Sequence, residues 1–355
     1  MLTIIFREIV MLKTLLKRYF IDAMGAMAQG LFASLLIGAI LSAIGLIPGL
    51  SFFAEIGSFA KSVAGPAMAA AIAYSLKAHP LVIYSCAAVG WAANSKGGAG
   101  GPLAVLFIAI AAAEIGMLVS KKTKLDILVT PLVTILVGGG LSILIAPYIG
   151  RAVDYVGDLI SLTMELQPFL MGVIVSVVIG MALTLPISSA AICASLALSG
   201  INGDPGLALA GGAAVAGCCA QMVGFAVMSF GENGWGGLLS QGLGTSMLQM
   251  PNIVKNPRIW IPPTLASAVT GPLATCVFHL CMYGEPINSG MGTCGLLGPV
   301  GVILGWYGGL YPGGVGLIDW VGLVLICFIL PAVLSVLFAI PLRKIKWIKP
   351  GDMKL

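Results

Sequence analysis

Charge is what this sequence has least of. Asp, Glu, Lys and Arg make up 9% of its 355 residues, against about 25% in a typical soluble domain. A water-facing surface so poor in charge would aggregate, so a soluble fold is excluded and lipid is the solvent that fits. Histidine is scarcer still. There are two, His79 and His279, too few for a typical zinc site, and no metal and no cofactor is expected. The eight Cys include no Cys-x-x-Cys pair, and most lie inside apolar runs, among them Cys218, Cys219, Cys276, Cys281 and Cys327. They read as small buried hydrophobes. No basic stripe with interleaved aromatics occurs, which excludes nucleic acid as a partner. Residues 1–22 lack the form of a secretory signal, because Arg7, Glu8, Lys13, Lys17, Arg18 and Asp22 interrupt every apolar stretch. Residues 1–23 read instead as an amphipathic helix on the cytoplasmic membrane surface.

What is present is apolar: 59% hydrophobic residues, with 48 Gly besides. That composition suits close helix–helix packing and broken helices in a bilayer. A spanning helix needs about 20 apolar residues. Residues 24–47, 102–119, 127–147, 168–184, 207–230, 261–283 and 316–340 qualify. Three shorter runs, 64–78, 80–93 and 187–200, read as short spans, set off by Pro80 and Pro186, since proline disfavours helix at the residue before it. The pattern predicts an all-α polytopic membrane protein with about ten transmembrane helices. Placing residue 1 in the cytoplasm puts 15 of the 18 Lys/Arg in cytoplasmic segments and leaves Lys61, Lys96 and Arg151 elsewhere. This agrees with the positive-inside rule and makes both termini cytoplasmic.

Residues 150–165 are too polar to span. Arg151, Asp154 and Asp158 fall on one helical face, and Val153, Val156, Leu159, Ile160 and Met164 on another, which predicts an interfacial amphipathic helix. It separates two halves: a scaffold and dimerisation domain over 24–149 and a substrate-binding transport domain over 166–341. A basic cytoplasmic tail, 342–355, follows. Small residues such as Gly25, Ala28, Ala33 and Gly38 permit close packing of two copies through the first half.

Two segments read as re-entrant hairpins, 231–251 and 284–310. Each starts with an acid and an amide beside glycine, and irregular backbone at membrane depth is tolerated only where protein buries it or it lines a cavity. Glu232, Asn233 and Trp235 belong to the first, and Glu285, Pro286 and Asn288 to the second. Carboxylates and amides suit sugar hydroxyls, an indole can stack on a sugar ring, and an intramembrane acid is a functional candidate by default. Both acid–amide pairs are expected to face one water-accessible cavity. The alternative for each acid is a loop-end glutamate satisfied by backbone amides. Ser188 and Ser189, after Leu185-Pro186, offer hydroxyls at a broken helix, or cap a tight turn. Glu114 reads as a hydrogen-bonded acid between helices rather than a proton relay; His279 faces the same choice, left open. Asn94–Gly101 lacks the Gly-Lys-Ser/Thr of a phosphate-binding loop and reads as a flexible loop.

The stretches Leu183–Ile192 (LTLPISSAAI), Glu232–Ser267 (ENGWGGLLSQGLGTSMLQMPNIVKNPRIWIPPTLAS) and Gly290–Gly298 (GMGTCGLLG) resemble the membrane-embedded IIC subunits of the sugar phosphotransferase system, in the branch that includes perfringolysin-regulator-like proteins. The resemblance implies ten spans, two hairpins, an interfacial helix and a homodimer in a bacterial cytoplasmic membrane. It implies a sugar as substrate and a separate IIB-type phosphodonor protein. In sugar-transporting relatives a Glu-Pro pair in the second hairpin binds sugar and assists its phosphorylation, and Glu285-Pro286 matches that pair, which makes Glu285 the candidate catalytic residue. The histidine that some relatives carry in the first hairpin is replaced here by the region of Glu232-Asn233. The expected function is a solute permease working by alternating access. The alternatives are a non-phosphorylating transporter of another small metabolite and a membrane ligand sensor.

Overall fold

The computed structural model describes residues 14–45, 47, 49–163, 166–309, 311 and 314–355. Among them there is no strand, and the protein is an all-α membrane protein. The first helix, α1 (Thr14–Ile44), is continuous and contains π-helical stretches at Lys17–Asp22 and Phe32–Leu36. Residues 14–23 of the interfacial helix expected over 1–23 run without a break into the first span; residues 1–13 lie outside the described residues. The Arg18 guanidinium lies 2.6 Å from the Glu114 carboxylate, and the Tyr19 hydroxyl donates to the same oxygen at 3.1 Å. Polar groups that looked interfacial in sequence are used between helices.

Five more helices complete the first group: α2 (Phe52–Ser62), α3 (Ala64–Ser75), α4 (Pro80–Lys96), α5 (Gly101–Val119) and α6 (Asp126–Leu144). The split of 64–93 is as the sequence predicts: Lys77 takes a left-handed turn (φ +60°) and Pro80 opens α4. Between α3 and α4 the backbones touch, since a methyl built on Gly65 would clash with the Gly90 carbonyl oxygen. Next comes α7 (Ala146–Thr163), with Val153 and Ile160 buried and Arg151, Asp154 and Asp158 exposed. Val156 is half-buried and Leu159, expected on the apolar face, is exposed; Met164 lies outside the described residues.

The second group is built on α8 (Pro168–Thr184). The run 187–200 is not a span: α9 (Ser189–Ser195) has seven residues, and the chain then turns through Gly203 (φ +85°). The central helix is α10 (Pro205–Met228), started by Pro205 and by the Asp204 carboxylate, which accepts from the Gly206 and Leu207 amides at 2.8 and 3.2 Å. Its many small residues let neighbours approach its axis, and at Gly217 the Ser176 carbonyl of α8 occupies the space of a side chain. After α10 come α11 (Phe230–Leu239) and α12 (Met250–Lys255), then α13 (Ile261–Cys276). The expected span 261–283 is thus seven residues too long. His279 adopts a left-handed conformation (φ +45°), and 277–285 runs non-helically along α10, where the Met282 amide donates to the Ala208 carbonyl at 2.8 Å and the Gly200 amide to the Met282 carbonyl at 2.8 Å. A short α14 (Pro286–Ser289), α15 (Leu297–Tyr307) and the long α16 (Leu317–Lys344) follow. Among the described residues, five helices can cross a bilayer by length and composition, or six if α2 and α3, bent by 48°, act as one. At 17 residues each, α4 and α8 reach the lower end of the spanning range of about 17–25.

Candidate functional site

Two broken segments enter the second group from opposite ends of α10. The first leaves its C-terminal end through α11, dips through a π turn at Ser240–Gly244 and a tip at Thr245, and returns through Ser246–Gln249 and α12. The second passes its N-terminal end as the 277–285 segment, then forms α14, a tip over 290–296 and α15. The tips meet at the level of Cys218–Met222. From the first, Ser246 shares a hydrogen bond with Thr184 at 2.8 Å, and Thr184 donates to the Gln221 amide oxygen at 3.2 Å. From the second, the Thr293 hydroxyl donates to Met222 Sδ at 3.6 Å, and Gly292 (φ +52°) lies so close to α10 that a methyl there would be 2.7 Å from Cys218 Cβ.

A sequence signal for this junction exists and is absent from the motifs singled out above. Gly242-Leu243-Gly244-Thr245-Ser246-Met247-Leu248-Gln249-Met250-Pro251 and Gly290-Met291-Gly292-Thr293-Cys294-Gly295-Leu296-Leu297-Gly298-Pro299 share Gly-x-Gly-Thr-x-x-Leu-x-x-Pro. Both copies are hairpin tips. Glycine permits close approach and positive φ, and threonine caps a turn, as Thr245 does by accepting from the Met247 amide at 3.1 Å.

A narrow cavity of about 60 Å³ lies where the tips face the first group. Leu31, Leu35, Leu36 and Pro102 wall one side, and Leu183, Ser188, Ser189, Thr245, Met247 and Met291 contribute to the other. The π-helical stretch Phe32–Leu36 sits against this junction; π turns of this kind recur at functional sites. The Ser189 hydroxyl donates to the Gly290 carbonyl at 2.7 Å, and Ser188 caps α9 by accepting from the Ala191 amide at 3.2 Å. Ser189 thus fastens α9 to the second hairpin, while Ser188 caps the helix. Ser289 reciprocates, donating to the Leu198 carbonyl at 2.6 Å.

The two acid–amide pairs do not share a cavity. Glu232 and Asn233 follow the C-terminal end of α10, and Glu285 and Asn288 lie beside its N-terminal end; 24 helical residues separate those ends by roughly 36 Å. The first pair is consumed by the chain's own tail: Glu232 accepts from the Met353 amide at 3.0 Å, and Asn233 donates to the Met353 carbonyl at 2.8 Å. Trp235 stands beside them, 71% exposed and edge-on to Phe230. The second pair differs. Glu285 is exposed and Asn288 half-buried, and neither side chain has a hydrogen-bond partner among the described residues. Pro286 starts α14 directly after Glu285. His279 is exposed beyond the end of α13.

Gln221, whose amide could be read from the sequence as a sugar ligand, is used within the protein. Fully buried on α10, it accepts from Trp260 Nε1 at 2.9 Å and from Thr184, and reaches Thr264 and Ser267 at 3.3 and 3.4 Å. It ties α8, α10 and α13 together beside the first tip. Glu114 takes the structural role expected for it, against Arg18 and Tyr19.

Compared with known proteins, the chain matches one family description, "Phosphotransferase system, EIIC", over residues 21–355. No curated protein matches it.

Proposed function

Because the chain belongs to the EIIC family of the phosphotransferase system, we propose that it is the membrane permease of such a system, moving a sugar-class solute across a bacterial cytoplasmic membrane by alternating access. The observation that carries this reading is the meeting of two re-entrant tips halfway along α10, walled on the far side by α1 and Pro102. Transporters commonly hold solute near the midplane at broken helices of this kind. Ligand pockets usually measure about 300–1,000 Å³, so the narrow cavity fits a closed state. Loading would separate the transport domain, 166–341, from the scaffold, 24–149. The scaffold would also pair two copies. Of the small residues on α1, Ala28 and Gly38 are already buried within the protomer and Ala33 is exposed, so pairing would use the exposed faces of the scaffold, and a cross-link recovered within 261–340 instead would move that interface. Both termini are proposed to be cytoplasmic.

The unpaired Glu285 carboxylate and Asn288 amide are proposed as solute ligands reached from the end opposite the tail. A carboxylate accepts sugar hydroxyls and an amide both donates and accepts. In phosphorylation the sugar oxygen would form its bond to phosphorus as the bond to a separate IIB-type donor breaks. Glu285 would take the hydroxyl proton, which requires the transport domain first to carry the site to the tail's side, where a cytoplasmic donor reaches it, and Glu285 to come within about 3 Å of that oxygen. The apolar side chains around the cavity favour a second reading, a non-phosphorylating transporter of a less polar metabolite.

The test is a binding screen of the purified protein over sugars and other metabolites, repeated on Glu285→Gln. A sugar ligand is expected, with affinity lowered roughly 10- to 150-fold in the variant, the worth of a hydrogen bond to a charged group, about 1.5–3 kcal/mol. Unchanged affinity in a folded variant removes Glu285 from the site. A ligand outside the sugars favours the second reading.

A further inference from the structure

The tail is seated in a groove formed by the first hairpin. Beyond α16 the chain turns at Lys346 (φ +60°) and Gly351 (φ +93°) and buries Ile348 and Met353, the latter completely. The groove reads its backbone with side-chain amides. Met353 is held on both sides: its amide donates to Glu232 at 3.0 Å, and its carbonyl accepts from Asn233 and from Gln249, each at 2.8 Å. The Leu355 amide donates to Asn233 at 2.9 Å, and Asn252 donates to the Lys354 carbonyl at 2.9 Å. Farther back, Asn256 donates to the Trp347 carbonyl at 2.8 Å, and the Arg258 guanidinium lies 4.8 Å from the Trp347 ring centroid.

These contacts span both feet of the first hairpin. Glu232 and Asn233 stand on the outgoing leg; Gln249, Asn252, Asn256 and Arg258 stand on or just after the returning one. Immediately beyond Asn233, Gly234 breaks α11 with φ +56° and ψ −155°, a conformation essentially confined to glycine. Additional side-chain space surrounds Gly231, Gly234 and Gly236. The hairpin therefore has a hinge next to the residues that the tail grips, and its tip, Thr245 and Met247, lines the cavity. A clasp across both feet fixes where the tip can be.

We propose that residues 346–355 are a latch: seated, they hold the first hairpin closed, and their release frees its tip to move. The groove is then a binding site for a turn-forming peptide, occupied here by the chain's own C-terminal segment. Glu232 and Asn233 act as tail receptors rather than solute ligands. The inference rests on the tail's own contacts and needs no solute, so its failure leaves the permease reading standing.

The test is hydrogen–deuterium exchange on the full chain in lipid nanodiscs, comparing wild type with Asn233→Ala and with Met353→Asp. Either variant is expected to speed exchange over 240–249 at least about tenfold, the effect of losing one or two amide hydrogen bonds, with α8, α10 and α13 unchanged. A synthetic peptide of residues 345–355, added in excess to Met353→Asp, is expected to restore slow exchange. Unchanged exchange over 240–249 in Asn233→Ala would overturn the latch. So would acceleration spread over every helix, or a peptide that restores nothing, because the tail would then be an ordinary part of the packed core.

Discussion

Gln221 is the one strongly polar side chain of α10, and it serves three helices at once. Gln221→Leu keeps the volume and removes every bond. Thr184 still has Ser246, so the orphan is Trp260 Nε1. An unpaired buried donor costs about 1–3 kcal/mol, and thermal unfolding in detergent should show that loss as a lower midpoint. Adding Trp260→Phe removes the orphan and should recover part of it, since removing both partners is milder than removing one. A Gln221→Leu protein as stable as wild type would show that the network contributes nothing. At this scale the sequence was legible in chemistry but not in partnership. Glu232-Asn233 and Glu285-x-x-Asn288 are the same functional groups beside the same glycines. What separates them is a tail some 120 residues away along the chain, and no local pattern reports a contact at that distance. Glu114 was easier, because an acid inside an apolar run has to be paired.

At the scale of elements, the long apolar runs were readable because the bilayer demands them: 102–119, 168–184 and 207–230 match α5, α8 and α10 within two residues. Runs that stay apolar after the helix has ended were not. Composition does not change at Cys276 or at Ser195, so 261–283 and 187–200 looked like spans. There the backbone leaves the helix because its polar groups find partners on other segments, Met282 on Ala208 and Gly200 on Met282. The hairpins were legible as irregular apolar stretches, although their shared tip motif shows only when the two are aligned. That motif makes a prediction. Gly292→Ala places a methyl 2.7 Å from Cys218 Cβ at φ +52°. The left-handed conformation alone costs about 1–2 kcal/mol, and the backbone of α10 cannot step aside cheaply. Gly292→Ala should therefore lower the thermal midpoint clearly, whereas Gly236→Ala, with nothing within 4 Å, should be neutral or slightly stabilising, as Gly-to-Ala changes are where the backbone allows them. Equal effects from the two would mean that the second tip is not wedged against α10.

At the scale of the whole molecule, the two groups of helices share one hydrophobic core, in which Met27, Met68 and Ile72 cluster with Met222, Phe225 and Met247. The cavity at the tips is bounded by α1 and Pro102 on one side and by the second group on the other, so the proposed transport would require these surfaces to part. That requirement distinguishes alternating access from a sensor that binds without moving. It can be tested in a background from which the eight native cysteines have been replaced. Leu35→Cys with Met291→Cys places one thiol on each side of the cavity; Leu183→Cys with Met291→Cys places both on the second group. A short, cleavable thiol cross-linker closed across the first pair should stop uptake of the solute found in the binding screen, and cleavage should restore it. The same reagent on the second pair should leave most uptake intact, because that group would move as one body. Uptake that survives complete cross-linking of Leu35→Cys to Met291→Cys would show that the surfaces need not separate, and the transport domain would lose its definition. Arrest by both pairs alike would place the motion within the second hairpin rather than between the halves. Substrate binding retained under the first cross-link, with uptake abolished, would be the clearest sign that the closed cavity is a step of transport.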